Sequence, residues 1–410
     1  MHLQPRGFLM ALTLLLLAAC ASQPVAPVKP SSTTSGDALF PAPPGLQPQV
    51  AFWRDVYSNW GRNRVALHDH RYLDLVYAVL TLPGEIGENQ TPEQKDFVKE
   101  HQEQLKTLLS QVEAKAAFNA PLTPAEQKLA DRIRASSGGP GAIAGASERL
   151  RSQRGMRERF KRGLEISGRY DAAFRNVFRE AGLPEDLAYL PHVESSFQNH
   201  AASAAGAVGM WQFMPGTARH FGMLNAAVDE RRDPVASAQG AARYLGSAYN
   251  QLRSWPLALT SYNHGVGGMK RAQAAHGNDF IAITRYYAGP GFGFASRNFY
   301  AEFLAARDIA RNSQHFFPEG VRYEAPLNLD RVRLRQTVDA PTLASYYGLN
   351  SWELTNLNRA WNAAAQSGQI SLPAGTLVWL PAGTVARFAQ RGAADRAVAL
   401  ADPVTTGRIR

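Results

Sequence analysis

The chain has 410 residues and a net charge of +10, and it is 45% hydrophobic and 19% charged. That length allows two or three ordinary domains, and the composition fits a globular protein with a real core. The positive balance favours a polyanionic neighbourhood, whether acidic lipid, cell-wall polymer or nucleic acid, with basic residues spread along the chain rather than gathered in one run. Cys20 is the only cysteine, which excludes a disulfide within one chain.

Arg6 followed by the apolar run Phe8 to Ala19 has the form of a signal segment and is too short to span a bilayer comfortably. The run ends Leu17-Ala18-Ala19-Cys20. Residues 1–20 resemble the signal peptide and lipobox of bacterial lipoproteins, in which the cysteine is diacylated and becomes the mature N-terminus. The competing reading is an ordinary signal peptide with a chance cysteine. Acyl chains buried at about 0.8 kcal/mol per CH2 make a firm anchor. Ala21 stands where the lipoprotein rule puts an Asp for inner-membrane retention, so the expected location is the periplasmic side of the outer membrane. Residues 21–50, rich in Pro, Ser, Thr and Ala, read as a flexible tether.

Residues 51–145 read as an N-terminal helical region. Thr91-Pro92-Glu93-Gln94 and Thr123-Pro124-Ala125-Glu126 both fit a capping box with Pro at the first helical position. Val98, Leu105, Leu108, Leu109 and Val112 fall near one helical face. Ser136 to Ser147 is Gly-, Ala- and Ser-rich and marks a boundary. Residues 146–317 resume helical patterning. Asp171 is expected to cap a helix whose Phe174, Val177, Phe178 and Ala181 form an i, i+3, i+4, i+7 stripe, stopped by Gly182. Asp233-Pro234 starts another helix with small residues at Ala238, Ala241 and Ala242. Residues 318–383 read as strand, two short helices and strand, and 384–410 as an Ala- and Arg-rich tail.

Between Leu190 and Pro215, Glu194 is the only acidic residue. Leu187 and Leu190 precede it by seven and four, so one continuous helix would put it at the end of an apolar stripe, although Pro191 can kink that helix. Burial there would raise its pKa and keep it protonated near neutral pH, as a general acid needs. Periodicity alone fits equally a helix-end Glu in a surface ion pair.

The order of motifs separates these readings. Glu194-Ser195, Ser203 nine residues after the Glu, Gly209-Met210-Trp211-Gln212 ending eighteen after it, and Ser261-Tyr262-Asn263-His264-Gly265 resemble the signatures of the lytic transglycosylases of the goose-type-lysozyme-like superfamily. The resemblance spans about residues 167–311. It implies a mainly α protein with a lysozyme-like α-helical catalytic domain acting on peptidoglycan glycan strands. Glu194 would be the catalytic acid and base, and Ser203, Met210, Gln212, Tyr262 and Asn263 would bind substrate. Asn263 also suits a tight loop beside Gly265, and Met210 and Trp211 wall the cleft or fill the core. Other branches of the superfamily carry Glu-Thr-Arg-x-Tyr near the last segment, and here Ala295 lies where that Glu would fall. A solitary carboxylate fits a substrate-assisted reaction, in which the 2-acetamido group of N-acetylmuramic acid supplies the nucleophile.

His192, His200 and His264 match no metal-site spacing, and neither metal nor cofactor is expected. Gly289-Pro290-Gly291-Phe292-Gly293 lacks the strand context and the Lys of a phosphate loop. Thr342 to Leu349, Leu354 to Asn358 and Leu372 to Pro381 resemble LysM, a small α+β glycan-binding module, although Ala340-Pro341 replaces its usual Gly-Asp. The partners implied are peptidoglycan and, through Cys20, a membrane, with no nucleic acid. Two alternatives stay open: a lysozyme-type hydrolase using the same Glu194, and a non-catalytic, lipid-anchored peptidoglycan-binding protein.

Overall fold

The computed structural model describes residues 35–390 and 400–404. The signal segment and Cys20 lie outside the described residues. Among those described, no helix is long and apolar enough to cross a membrane.

The described part of the expected tether is not a tether. Ser35–Leu39 is helical, Gln47–Arg54 is a second helix, and Phe40, Leu46 and Val50 are each 2% exposed or less. Phe40 lies 5.3 Å from Phe303 and 5.7 Å from Trp255, ring centre to ring centre. Six prolines from Pro24 to Pro44 masked these anchors, because the prolines break any periodicity without preventing burial.

The N-terminal region is also not purely helical. β1 (Arg64–Asp69), β2 (Val76–Thr81) and β3 (Leu150–Arg154) form an antiparallel sheet in the order β2-β1-β3. Since β3 lies beyond residue 146, the boundary expected there falls inside a sheet. Val65 and Leu67 of β1 point one way, onto Leu80, Leu82 and Val98, while Ala66 points into the main core. The two helices beside the sheet, Pro92–Ala117 and Pro124–Arg134, start as expected. Thr91 Oγ1 accepts from Gln94 N, and Gln94 Oε1 accepts from Thr91 N; Thr123 and Glu126 repeat the pattern.

The main core is helical, built around Pro234–Leu252, Trp255–His264 and Phe294–Arg311. Ala238, Ala241 and Ala242 let neighbouring helices approach closely and are all buried. The Asp171–Glu180 helix buries Phe174, Val177 and Phe178, whereas Ala181 is exposed. Asp171 does not cap it. Tyr170 occupies the cap position, and Asp171, in the first turn, instead accepts from Arg175 Nε one turn on at 2.8 Å.

The last unit runs β4 (Leu329–Leu334), helices Ala340–Tyr347 and Ser351–Leu357, then β5 (Leu377–Pro381) antiparallel to β4. The expected tail rejoins this sheet as β6 (Ala401–Pro403), paired to β4, with Leu400 and Ala401 buried. The unit is docked on the helical core. Trp379 Nε1 donates to Asp233 Oδ2 at 2.5 Å, Asp229 N to the Ala360 carbonyl at 2.7 Å, and Val228 bridges to Trp361.

Candidate active site

The chain enters the site through a 3-10 turn, Glu185–Tyr189, and leaves it through the one-turn helix Leu190–Glu194. The single helix considered from the sequence is therefore two segments of different pitch, with Pro191 in the first turn of the second, where its missing N–H costs nothing. Leu187 and Leu190 are fully buried, so the apolar approach to Glu194 survives the change of pitch. Directly after Ser195, Ser196 and Phe197 both take left-handed backbone, with φ of 54° and 59°. Such residues persist only where the surroundings over-determine them.

Glu194 keeps partial solvent access but is packed by protein on its other sides. Burial first, and the neighbouring Glu302 carboxyl second, push its pKa up from 4.5 to about 8. At neutral pH this carboxyl holds a proton that it can donate. Burial pushes Glu302 up to about 7, offset by the hydrogen bond it accepts from the Tyr57 hydroxyl at 3.1 Å. His192, two residues before Glu194, is held neutral by burial with its pKa down at about 3, and its ring stacks on Phe160 at 5.0 Å.

The segment 201–213 folds into a compact loop beside this acid. Gly209 N donates to the Ala201 carbonyl, and bridges pair Ala202 with Val208 and Val208 with Phe213. Gly209 has φ +81°, and a Cβ there would sit 1.9 Å from the Arg231 carbonyl oxygen, so only glycine fits. Ser203 is exposed; its Oγ accepts from Ala207 N at 3.0 Å, which leaves its hydroxyl proton for a ligand. Gln212 is left-handed (φ +47°), and its amide donates to the Gly209 and Ala201 carbonyls, leaving Oε1 as a free acceptor. Arg231 clamps the loop, donating to the Gly206 and Phe213 carbonyls while paired to Asp229 at 2.8 Å.

Met210 and Trp211 are 1% and 0% exposed. The Met210 side chain, expected from the sequence to touch substrate, thus has little surface to offer, and Trp211 lies in the core. Both still serve the site through backbone: Ser195 Oγ donates to the Met210 carbonyl at 2.9 Å, and the Tyr262 hydroxyl to the Trp211 carbonyl at 2.9 Å. Burial first, and charge on Glu194 second, push the Tyr262 hydroxyl well above its usual value. Asn263, in the last turn of the Trp255–His264 helix, is exposed and accepts from Ser296 Oγ at 2.7 Å, which ties that helix end to the Phe294–Arg311 helix. Among the described residues no group of three His, Cys, Asp or Glu side chains is arranged to hold a metal.

Sequence reasoning missed Glu302 and Tyr57, and so treated Glu194 as solitary. A signal for Glu302 was present: it lies three after Phe299, four before Ala306 and seven before Ile309, a lone carboxyl on the apolar stripe of a helix. Tyr57 carried none.

Residues 173–283 match the family described as Transglycosylase SLT domain. Over 188 residues the chain is 30% identical to membrane-bound lytic murein transglycosylase D of Escherichia coli (strain K12), covering 44% of this chain and 40% of that protein. It is 34% identical over 114 residues to membrane-bound lytic murein transglycosylase F of Stutzerimonas stutzeri (strain A1501), covering 26% of this chain and 22% of that protein. The crystal structure of the 70 kDa soluble lytic transglycosylase from Escherichia coli aligns with 21% identity and a TM-score of 0.31, over 35% of this chain and 24% of that chain. The chain thus spans about 40% of the length of the first of these relatives. Residues 173–283, which hold Glu194, Ser203, Gln212, Tyr262 and Asn263, thus match the transglycosylase SLT domain, and the chain is similar in sequence to membrane-bound lytic murein transglycosylase D.

Proposed function

We propose that this protein is a peptidoglycan lytic transglycosylase that cleaves the β-1,4 bond between N-acetylmuramic acid and N-acetylglucosamine and leaves 1,6-anhydro ends. The observation that carries the reading is the placement of Glu194, a carboxyl that burial keeps protonated to about pH 8, inside an SLT domain. Its proton goes to the glycosidic oxygen as the C1–O bond breaks. The acetamido carbonyl oxygen of the same sugar attacks C1 and gives an oxazolinium-like intermediate. The Glu194 carboxylate then takes the proton of the C6 hydroxyl, and O6 displaces the acetamido oxygen from C1. The acid is restored and no water is consumed. General acid–base action of this kind is typically worth about 10^2–10^4-fold per group.

Ser203 and Gln212 are assigned to hold the glycan, each presenting a hydrogen-bonding group not used within the fold. Tyr262 is assigned to pack beside the acid, and the exposed Asn263, at the end of the same helix, to bind substrate. The docked C-terminal unit is assigned to glycan binding on its strand–helix–helix–strand order, and Cys20 to a lipid anchor at the periplasmic side of the outer membrane. The names of the membrane-bound relatives agree with a membrane association.

The test is product analysis on purified sacculi. Anhydro-muropeptides from wild type and their loss in Glu194→Gln are expected. Reducing ends instead would make the protein a hydrolase, and no release by wild type would leave a binding protein.

A further inference from the structure

Two residues outside the 173–283 match converge on the acid. Tyr57 lies in the π-helical turn Asp55–Asn59, a rare conformation that recurs at functional sites. Three contacts fix that turn. Met156 N donates to the Val56 carbonyl at 2.7 Å, Tyr57 stacks on Phe160 at 4.9 Å, and Phe160 in turn stacks on His192. The Tyr57 side chain is 2% exposed, and its hydroxyl has one polar partner, Glu302 Oε2. Glu302 projects from the Phe294–Arg311 helix, which packs against Leu190–Glu194, and lies close enough to Glu194 for their charges to repel.

We propose that Glu302, oriented by Tyr57, is a positioning residue for Glu194, so that the segment preceding the SLT domain completes the catalytic site. This rests on the transglycosylase reading above. A hydroxyl that donates to one oxygen of Glu302 fixes that carboxyl's rotamer and favours its charged form. The groups facing Glu194 are then Glu302, Tyr57 and Tyr262, while neutral His192 on its own helix lies against Phe160 and Phe197; among the described residues no cation is recorded against either carboxyl. With no cation to neutralise it, a charge on Glu302 opposes a charge on Glu194. Loss of the first proton from the pair as pH rises therefore holds the second more tightly. The pair titrates as a unit, as interacting carboxyls do.

The experiment measures anhydro-muropeptide release against pH for full-length wild type, Glu302→Gln and Tyr57→Phe, with thermal unfolding beside it. Glu302→Gln keeps the shape and removes the charge. It is expected to move the basic limb of the profile to lower pH by about one unit, roughly a tenfold loss of protonated acid above that limb. Tyr57→Phe is expected to move it the same way by less, because Glu302 without its donor holds its proton longer and carries less charge. A purely structural role would lower rates without moving the limb, so an unmoved limb in a folded Glu302→Gln protein overturns the proposal. If that variant does not fold, the limb of Tyr57→Phe decides. Titration of the Glu194 carboxyl by 13C NMR in the same proteins reads the shift without turnover. An inactive wild type would therefore sink the proposed function, while the titration still decides this inference.

Discussion

Asp233 tests whether the C-terminal unit is part of the catalytic fold or an appendage. Its two carboxylate oxygens do different work. Oδ1 accepts from Val235 N at 2.9 Å and Ala236 N at 2.8 Å, capping the Pro234–Leu252 helix, while Oδ2 accepts from Trp379 Nε1 at 2.5 Å. Asp233→Asn keeps the shape but has one oxygen. If that oxygen keeps the cap, the new NH2 faces the indole N–H, donor against donor. A buried donor left unsatisfied costs about 1–3 kcal/mol. The substitution also removes the negative charge nearest Arg331, a buried guanidinium that lies 4.6 Å over the Trp379 ring, and brings the total to roughly 2–4 kcal/mol. At about 2–4 °C per kcal/mol for a domain of this size, Tm falls by roughly 5–15 °C. Trp379→Phe deletes the N–H from the other side and should cost about 1–3 kcal/mol. Because both changes break one bond, the double variant should be less destabilised than the sum by more than about 1 kcal/mol. Thermal unfolding followed by circular dichroism measures all three. Additivity within about 0.5 kcal/mol would show that the bond does not couple the units, and the docking argument would fall.

Glu194→Gln should lose activity by about 10^4-fold, since one group serves both proton transfers, read as anhydro-muropeptide release. The same variant should be more stable at pH 7. The unfolded carboxyl ionises above 4.5 while the folded one stays neutral to about 8, so stability falls as pH rises through that window, by roughly 2–3 kcal/mol at pH 7, and Gln removes the loss; equal Tm values at pH 7 would contradict the burial. Gly209→Ala should destabilise by at least about 2 kcal/mol, because a positive φ and a 1.9 Å clash with backbone must both be relieved, and urea unfolding checks it. Truncation after Pro318 should lower stability and slow cleavage of soluble glycan strands, since it strips the partners of 226–233; unchanged Tm and rate would restore an independent module. Cys20→Ser should release the protein from membranes, and labelled palmitate incorporation surviving that change would refute the anchor.

Local signals, in which one side chain bonds nearby backbone, are legible in the sequence, although Asp171 falls in the first turn rather than at the cap. Both capping boxes and the Asp233 cap need only a few adjacent residues, and all three form. Residues joined only in space were not legible. β3, Leu-Arg-Ser-Gln-Arg, has one apolar residue and no alternation, and it is a strand because β1 offers it a free edge. β2 carries a β-rich run, Val76-Tyr77-Ala78-Val79-Leu80, a signal that a helical reading of residues 51–145 passes over. At the site, the nine- and eighteen-residue spacings are short enough to be read locally, since Ser203 and Gln212 share one loop that follows the helix ending at Glu194. They could not show that Met210 turns inward, because alternation along a loop with two bridges depends on where the loop pairs. Glu302 reaches Glu194 across 108 positions and Tyr57 across 137, and no local pattern encodes that.

The turn after Glu194 explains how a one-turn helix can hold an acid still. Residues such as Ser196 and Phe197 in left-handed backbone cost about 1–3 kcal/mol each, and an isolated turn would relax. Here it cannot. Phe197 is 2% exposed, wedged 4.5 Å from His192 and 6.0 Å from Phe174, so relaxing the backbone would withdraw a phenyl ring from the core. Ser196 lies against Gly163, where an added Cβ would meet the Ser196 carbonyl oxygen at 2.9 Å, so the neighbouring helix admits the turn only because that position lacks a side chain. Ser195 Oγ then ties the turn to the Met210 carbonyl, and the loop that bears Gln212 becomes continuous with the helix that bears the acid. Strain and the raised proton affinity of Glu194 thus sit together: the helix ends packed against protein, where the Phe197 ring holds the turn and burial beside the Glu302 carboxyl disfavours charge on the acid.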